Sequence, residues 1–331
     1  MFDLERIKQE TSVAQIDFHE EIGSTNDRAI ELIKQNAIPL PALVLTNNQT
    51  AGRGQRERTW WSNNGSLTFT WITSDSQLSC FESANSPGAV ASRSLLPIIV
   101  ANATCKAIEA TTGLRNIAIK WPNDLLVENR KLSGVLIESI RQGNKADSDQ
   151  ADSDQADSNQ ANSNQPRAHD SQSNPNVCYA VGIGINVNNN QSELETGGLA
   201  DQRTQSDRTL SLQESATRKN GDENSKTEFG RPTSIHAQIS KNTSLEDLLI
   251  GIIKQLNHDT RQLRTGQGNP INEIVETYNQ RLAFRGQEIR INQAGQTERL
   301  GICQGINSEG NLLLQTSKGI EAIFSGIIQP V

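Results

Sequence analysis

A loop with three arginines within six residues is the first segment whose residue types could do chemistry. The arginines are Arg53, Arg56 and Arg58, and the glycines Gly52 and Gly54 stand beside them. Glycines let backbone amides approach a ligand closely, and guanidinium groups present forked donors that match phosphate and carboxylate oxygens. The loop therefore indicates a site for a polyanion, although taken alone it is also compatible with a solvated surface turn. It is not a P-loop, because the spacing G-x-x-x-x-G-K-[ST] occurs nowhere in the chain.

A lysine that closes an apolar run is the second candidate. Lys120 follows Ile117-Ala118-Ile119 and precedes Trp121-Pro122-Asn123-Asp124, where the proline stiffens the turn. A fixed positive charge beside a partly buried cleft stabilises negative charge that develops on a carboxylate or phosphoryl group. The alternative is a lysine whose stem lies along the strand end while its ammonium group reaches water.

Two further segments could recognise a flat or amide-bearing ligand. Gly182 and Gly184 lie in an apolar run. Because glycine has no side chain, a flat ligand could lie against the backbone there, and the alternative is that the glycines serve sheet packing. Asn186 follows them and offers a donor and an acceptor together, the combination that reads an adenine edge. The segment Ser24-Thr25-Asn26 could bind a ureido or amide group, and helix capping explains it equally well.

Metal and covalent chemistry find no support in the sequence. The four histidines have no metal-ligand spacing, and the four cysteines are scattered without a close pair. No serine or cysteine motif of a nucleophilic hydrolase is present. The candidate chemistry is therefore electrostatic.

The surrounding pattern predicts helices and strands that would position these residues. Ser24 or Thr25 is expected to cap a short helix, and prolines at 39 and 41 to end it. Buried strands are predicted at 42–46, 66–72, 117–121, 125–127, 131–140 and 177–187, and helices at 93–112, 244–256 and 271–282. From Arg285 onward, short β runs separated by Gly, Asn and Ser are typical of a small barrel, which places a domain boundary near Phe284.

Two polar inserts interrupt this pattern. Residues 142–176 contain no Leu, Ile, Val, Phe, Met, Trp or Tyr and are built on four pentapeptides of the ADSDQ type, while residues 190–230 hold a single aromatic residue, Phe229. Such segments bury too little apolar surface to offset their ordering entropy, so both are predicted to be disordered. The first is predicted to be a long hairpin loop between two paired strands, because closure entropy rises only slowly with loop length.

The charge of the chain resides in the inserts. Of the formal net charge of −7, −4 falls in 142–176 and −3 in 190–230, so the rest of the chain is near neutral. A near-neutral body argues against a general affinity for nucleic acid or anionic lipid. The first ten residues lack the apolar core of a signal sequence, and no run of 18 apolar residues occurs, so a cytoplasmic protein is expected.

Taken together, these segments resemble the motifs of the biotin-protein ligases. The matching segments are STN at Ser24, QTAGRG at Gln49, W-S-x-x-x-S-L at Trp61, KWPND at Lys120, KLSGVLIE at Lys131 and GIGINVN at Gly182. The resemblance implies an α+β (α/β) two-layer fold like that of class II synthetases. A mixed, mostly antiparallel sheet with helices packed on one face would span 1–284, and a small SH3-like β-barrel would span 285–331.

The resemblance implies an ATP-dependent ligase. Biotin would be activated as biotinyl-5'-AMP with release of pyrophosphate, then transferred to a lysine of the biotin carboxyl carrier protein of acetyl-CoA carboxylase. Mg²⁺ is expected with ATP, and its ligands cannot be assigned, with Asp124 as one candidate. A monomer and a homodimer both remain open. A repressor role is not expected, because about 17 residues precede the match and a helix-turn-helix with its supporting helix needs more.

By motif, the resemblance also implies roles for individual residues. The ureido ring of biotin would be held by polar side chains, namely Ser24, Thr25, Asn26 and Gln49. The biotin carboxylate and the adenylate phosphate would be covered by Arg53, Gly54 and Gln55. Catalysis would rest on Lys120 as the main electrostatic catalyst, with Arg53. A thin pocket floor would be provided by Gly134 and Gly184. The nucleotide would be bound by Arg53, Arg56, Arg58, Trp60 and Asn186, with Trp60 near the adenine and Asn186 at its edge.

One departure from the family pattern lies in the arginine loop. The pattern reads G-R-G-R-x-G-R, whereas this chain has Gln55 in place of an arginine and Glu57 in place of a glycine. The loop loses a positive charge, gains a negative one and loses a flexible point. We therefore expect weaker retention of the adenylate than in a chain with the full pattern. Two alternatives stay open: a lipoate or octanoate ligase or transferase of the same fold, and a non-catalytic biotin or nucleotide sensor.

Overall fold

The computed structural model describes residues 2–55, 58–78, 87–141, 177–201, 229–265, 268–293 and 297–331. The predicted hairpin loop 142–176, Arg56 and Glu57 therefore lie outside the described residues, as does most of the second insert. Within the described ranges, the chain forms two β-sheets and eight helices.

Seven strands form the larger sheet. They are β1 (Gln15–Ile22), β2 (Ala42–Gln49), β3 (Ser66–Ser74), β4 (Ala118–Lys120), β5 (Asp124–Val127), β6 (Arg130–Arg141) and β7 (Val177–Asn186). Their order across the sheet is β1-β2-β3-β7-β6-β5-β4, and β1 and β2 pair in parallel while every other neighbouring pair is antiparallel. The prediction of a mixed, mostly antiparallel sheet is confirmed. All nine residues of β3, an inner strand that lies between β2 and β7, are buried.

The pairing of β6 with β7 bears out the hairpin predicted around the first insert. The two strands are antiparallel, and their register ends at the pair Arg141 and Val177. The insert therefore connects two residues that are already neighbours in the sheet.

Eight helices accompany the strands. They are α1 (Leu4–Thr11), α2 (Thr25–Lys34), α3 (Asp75–Leu78), α4 (Pro87–Thr112), α5 (Gln191–Asp201), α6 (Ile235–Ile239), α7 (Leu245–Thr265) and α8 (Pro270–Arg281). In α7 the apolar positions recur every three to four residues, and those at 248, 249, 252, 253 and 256 are buried. That apolar stripe packs against α4 to form the main core.

One helix departs from the prediction that the helices share a single face. Side chains alternate between the faces of a strand, and on β2 Leu43 and Leu45 join the main core while Ala42 and Val44 join a separate cluster. Helix α2 packs into that second cluster through Ala29, Leu32 and Ile33. Helices α4, α7 and α8 cover one face as predicted, and α2 covers part of the other. Its amphipathic pattern shows that it packs on the sheet but does not specify the face.

The second insert is ordered at its start, which corrects the prediction of disorder from residue 190. Residues Gln191–Asp201 form α5, and Leu194 is only 2% exposed. The composition of the whole insert does not reveal this helix, because Leu194 is one apolar residue in a long polar segment.

A second, smaller sheet follows α8, as the short β runs predicted. Its strands are β8 (Glu288–Asn292), β9 (Arg299–Ile306), β10 (Leu312–Thr316), β11 (Gly319–Ile323) and β12 (Ile327–Pro330). They are antiparallel in the order β11-β10-β9-β8-β12. Its buried residues, such as Ile289 and Leu314, are continuous with the main core. The helices that the structure describes include none with the length and apolarity needed to span a membrane.

Candidate functional site

The amino end of α2 forms a buried polar corner against the end of β2. Ser24 is the N-cap of the helix, as predicted, and Thr25 and Asn26 are 2% and 4% exposed. The Thr25 backbone amide and hydroxyl both donate to Gln49 Oε1, at 2.8 and 3.1 Å. The four residues predicted to hold a ureido ring therefore lie together, and capping explains only Ser24.

The amide of Asn26 is oriented by two residues that the sequence analysis missed. Thr70 Oγ1 lies 2.6 Å from Asn26 Oδ1 and donates to it, while Asn26 Nδ2 donates to Glu138 Oε2 at 2.9 Å. These contacts fix which end of the amide is the donor. Glu138 could have been found from the sequence, because it is a carboxylate within the apolar run of β6. Thr70 could not, because the register of its strand decides which face of the sheet its side chain is on.

Three glycines make room for three side chains on this face of the sheet. A Cβ atom would come within 2.3 Å of Asn26 Oδ1 at Gly182 and within 2.3 Å of the Trp60 indole at Gly184. At Gly134, the partner of Gly184 across the sheet, it would come within 3.2 Å of Lys131 Cε. The side chains of Lys131 and Trp60 lie against Gly134 and Gly184, and the role of these glycines as the floor of a ligand pocket stays a prediction.

The arginine loop folds back on itself like a small hairpin. Trp60 donates its backbone N–H to the Gly52 carbonyl at 2.9 Å, Gly54 donates to the Arg58 carbonyl at 2.6 Å, and Arg53 and Thr59 form an antiparallel bridge. The solvated-turn alternative holds in part for this loop, because most of its described side chains are exposed while Arg53 and Gln55 contact residues outside it. Arg58 is exposed, and Arg56 lies outside the described residues.

Arg53 spans the pocket from α2 to β6. Its guanidinium group contacts Asp27 Oδ1 at 2.6 Å and grips the Glu138 carboxylate with two nitrogens, at 2.8 and 3.2 Å. The hydrogen bonds from Glu138 raise the pKa of Arg53 from its ordinary value, so the group stays charged. Asp27 and Glu138 were not predicted. They pair the Arg53 guanidinium group with protein carboxylates, and its role toward a ligand carboxylate stays a prediction.

Lys120 ends β4 as predicted, and it is largely buried. Burial lowers its pKa from the ordinary 10.5, Asp124 opposes this shift, and the positive charges of Lys131 and Arg58 lower the pKa further. Its ammonium group lies 5.1 Å from the centre of the Phe229 ring. Because the charge is partly desolvated, it would act more strongly on a nearby anion than the charge of an exposed lysine, and the choice between this role and a snorkelling lysine stays a prediction.

A second lysine, Lys131, lies at the same end of the site and was missed as a site residue, although it opens the motif KLSGVLIE. Its Nζ atom pairs with Asp124 Oδ1 at 2.8 Å and lies 6.0 Å from the centre of the Trp60 ring. Lys120, Lys131 and Arg58 therefore concentrate positive charge at one end of the pocket, while the neutral polar corner forms the other end.

The arginine loop also reaches the turn that carries Lys120. Gln55 Nε2 lies 3.5 Å from Asn123 Oδ1, and Asn123 is held in turn by its Nδ2 bond to the Val135 carbonyl at 2.8 Å. The loop and the lysine turn thus meet at Gln55 and Asn123.

Asn186 continues the row of Gly182 and Gly184 on the same face of β7. It is 4% exposed, and its Nδ2 atom donates to the Thr233 carbonyl at 3.0 Å. The amide is thereby oriented, and its role at an adenine edge stays a prediction. Thr233 belongs to the segment Pro232-Thr233-Ser234-Ile235.

The described residues do not build a metal site by themselves. None of the described ranges brings together three or more His, Cys, Asp or Glu side chains in a way that could hold an ion. Asp124, the candidate ligand, is paired with Lys131, and Glu138 is paired with Arg53.

Family models match two stretches of the chain. Residues 18–148 match the biotin/lipoate A/B protein ligase family, and residues 284–329 match the biotin protein ligase C-terminal domain. The first family includes both biotin and lipoate protein ligases, and the second match, to a domain of biotin protein ligases, favours the biotin ligases. The chain belongs to the biotin protein ligase family. It is a biotin ligase enzyme, and the resemblance read from its motifs is confirmed.

Relatives of this biotin protein ligase align over different shares of its length. The Bacillus subtilis protein named Bifunctional ligase/repressor BirA is 26% identical over 323 residues, which is 98% of this chain and 76% of that protein. The Paracoccus denitrificans Biotin--[acetyl-CoA-carboxylase] ligase is 31% identical over 121 residues, 36% of this chain and 45% of that protein. The structure of the Aquifex aeolicus biotin protein ligase in complex with biotin and ATP superposes with a TM-score of 0.60 at 20% identity, covering 95% of this chain and 97% of that one. This likeness establishes the shared fold.

Proposed function

We propose that this biotin ligase activates biotin with ATP, as biotinyl-5'-AMP, and transfers it to a lysine of the biotin carboxyl carrier protein of acetyl-CoA carboxylase. The observation that carries the proposal is the contact between Gln55 and Asn123. It brings the loop of Arg53 onto the turn of Lys120, above a polar corner suited to a ureido group. The Paracoccus denitrificans name supports the carboxylase as acceptor, and the Aquifex aeolicus complex supports ATP as the activating nucleotide.

In the first step, a biotin carboxylate oxygen attacks the α-phosphorus of ATP, and the bond to the β-phosphate oxygen breaks to release pyrophosphate. Asn26 and Gln49 would hold the ureido ring, because both amides are fixed by neighbours on the protein side. Arg53 would exchange its Glu138 contact for the biotin carboxylate. Lys120 would stabilise the negative charge that grows on the phosphoryl oxygens, where a desolvated cation is most effective.

In the second step, the neutral amine of the carrier lysine attacks the carbonyl carbon of the adenylate. The bond between that carbon and the phosphate oxygen breaks, AMP leaves with the electron pair, and the amine loses a proton. The mixed anhydride makes the biotinyl group acylating. Gly54 and Gln55, in the loop over the cleft, would shield it from water until the carrier arrives.

Arg58, Trp60 and Asn186 are proposed to bind the nucleotide, together with Arg56 from the loop tip. Asn186 would present Oδ1 to the adenine edge, since Thr233 already occupies its Nδ2. Mg²⁺ would enter with ATP and neutralise its phosphates. No step is assigned to a protein-bound metal, because the carboxylates Asp124 and Glu138 are paired with cations.

The division of the chain into a catalytic domain over 1–284 and a C-terminal domain over 285–331 is also part of this proposal. The start of the second family match at residue 284 supports it. The absence of a repressor role stays a prediction.

The decisive experiment supplies the protein with ATP, Mg²⁺, labelled biotin and an apo carrier domain. Label on the carrier lysine supports the proposal, and Lys120→Ala should slow adenylation by about 10²- to 10³-fold. Labelled adenylate without transfer would indicate that the transfer step to this carrier is impaired. Tight biotin binding without any turnover would favour the sensor alternative. Label from octanoate or lipoate in place of biotin would favour the other branch of the fold.

A further inference from the structure

The turn after Lys120 is tied to the sheet by its last two residues. Asp124 pairs with Lys131 at 2.8 Å, and Asn123 donates to the Val135 carbonyl at 2.8 Å. Both partners lie on β6. These contacts fix the side of the turn that faces the pocket.

The other side of the turn is tied to parts of the chain that follow it by more than 150 residues. Trp121 Nε1 donates to the Gly310 carbonyl at 3.0 Å, a separation of 189 residues. Tyr278 Oη donates to the Pro122 carbonyl at 2.9 Å, a separation of 156 residues. Among the described residues, Lys120 is the one polar member of the turn whose side chain has no hydrogen bond or ion pair, and its ammonium group contacts the Phe229 ring.

Both distant partners of the turn, Tyr278 and Gly310, are held in place by their own surroundings. Tyr278 is fully buried on α8, and its neighbour Asn279 bonds the Ile306 backbone on β9 through both ends of its amide, at 2.8 and 3.3 Å. Gly310 sits in the turn between β9 and β10 with φ of +79°, a conformation that favours glycine. That turn is closed by Asn307, whose Oδ1 accepts from the backbone N–H of Asn311 at 2.9 Å.

We propose that Tyr278 and Gly310 are positioning residues for Lys120, so that α8 and the C-terminal sheet set where the catalytic ammonium group lies. The proposal rests on the function proposed above. A desolvated charge stabilises a reacting phosphoryl group only at close range, and a misplacement of about 1 Å can cost about 10²-fold in rate. The two hydrogen bonds hold successive residues of the turn, which leaves its backbone little freedom to move the lysine.

The buried polar corner at the amino end of α2 lets a test distinguish loss of positioning from general loss of structure. Ser24, Thr25, Asn26 and Gln49 lie on α2 and β2, and neither element contacts Tyr278 or Gly310 through the bonds described. A loss of positioning should therefore lower kcat for adenylation and leave biotin affinity unchanged. A general loss of structure would alter both.

The first variant is Tyr278→Phe, which removes only the hydroxyl that binds Pro122. The chain's other tyrosine, Tyr179, provides a matched control: it is 5% exposed, and its hydroxyl donates to Asp75 at 2.7 Å on a different part of the sheet. We expect Tyr278→Phe to lower kcat about tenfold, with the Kd for biotin within about twofold of the wild type. Tyr179→Phe should leave kcat unchanged while lowering the melting temperature by a similar amount.

The second variant is Trp121→Phe, which keeps an aromatic ring and loses the bond to Gly310. It should lower kcat in the same selective way, and it keeps the test valid if Tyr278→Phe does not fold. The inference is overturned if the wild type forms biotinyl-adenylate and both variants match Tyr179→Phe in kcat. It is also overturned if the loss in kcat is accompanied by an equal loss of biotin affinity. A wild type that forms no adenylate would instead refute the proposed function itself, so the two failures are distinguishable.

Discussion

Gly184 lies directly beneath the indole ring of Trp60, so closely that a Cβ atom on residue 184 would come within 2.3 Å of Trp60 Cε2. Trp60 Nε1 is buried and has no hydrogen-bond partner among the described residues. A buried donor without a partner costs free energy, and a ligand acceptor in the pocket would recover it. The indole ring therefore occupies the space that a side chain at residue 184 would fill.

Gly184→Ala should displace Trp60 and impair adenylation. Overpacking of this kind costs about 1–3 kcal/mol, which corresponds to roughly a 5- to 150-fold fall in kcat/KM if the ring position matters. Single-turnover formation of the adenylate measures the effect. Gly251→Ala on α7 is the control, because its new Cβ would meet its nearest neighbour at an ordinary 3.4 Å. Equal rates for the two variants would show that Trp60 has no part in the reaction.

Thr70→Val should weaken biotin binding by releasing the amide of Asn26. The substitution keeps the shape of the side chain and removes the hydroxyl that lies 2.6 Å from Asn26 Oδ1. Loss of a buried hydrogen bond costs about 1–2 kcal/mol, so the Kd for biotin should rise about 5- to 30-fold. Calorimetric titration measures this. Thr73→Val is a matched control on the same strand, since Thr73 is fully buried and bonds Gln77 at 3.1 Å on the other face. A Kd that rises equally in both variants would contradict this role for Thr70.

The strands and the polar motifs were predictable because local chemistry defines them. The apolar runs on either side of the first insert predicted two paired strands, and the pair Arg141 and Val177 confirms it. Ser24 was predictable as a cap because hydroxyl groups satisfy the free amides at a helix start.

The contacts among distant residues could not be predicted in the same way. Thr70 and Glu138 meet Asn26 only because of the register of β3, β7 and β6, and a shift of one residue would turn both to the other face. Similarly, nothing in the local pattern of Trp121 or Tyr278 indicates a partner more than 150 residues away. Such contacts follow from topology rather than from propensity.

Adenylation should lose rate at alkaline pH as Lys120 loses its proton. Burial lowers the pKa of Lys120 below its ordinary 10.5, so the ammonium form is lost at a lower pH than in a free lysine. A bound nucleotide is anionic and raises this pKa again. The alkaline limb should therefore lie at lower pH in kcat/KM, which reports the free enzyme, than in kcat, which reports the complex.

The Lys120→Arg variant checks the assignment of that limb. A guanidinium group keeps its charge throughout this range, so the limb should disappear even if the overall rate falls. Persistence of the same limb in Lys120→Arg would assign it to another group.

Replacing residues 142–176 with a two-residue Asn-Gly turn should leave the enzyme intact. Arg141 and Val177 are already paired across antiparallel strands, and Asn-Gly is a favoured connection for such neighbours. We expect unchanged adenylation and transfer kinetics and an unchanged melting temperature. A change confined to the KM for the apo carrier would instead indicate that the acidic insert affects carrier docking. Changing the salt concentration would then test whether the effect is electrostatic.

Gln55→Arg should slow the release of biotinyl-adenylate. Gln55 reaches the turn of Lys120 with only a long contact of 3.5 Å to Asn123, and it brings no charge to a site that must hold a phosphate. An arginine at this position would add a forked, charged donor over the adenylate. A charge-assisted hydrogen bond contributes about 1.5–3 kcal/mol, so the dissociation rate should fall at least about tenfold. Gln55→Met, of similar length and without charge, separates charge from size. Stopped-flow release of the adenylate measures the rate, and equal rates in wild type and Gln55→Arg would show that Gln55 does not limit adenylate retention.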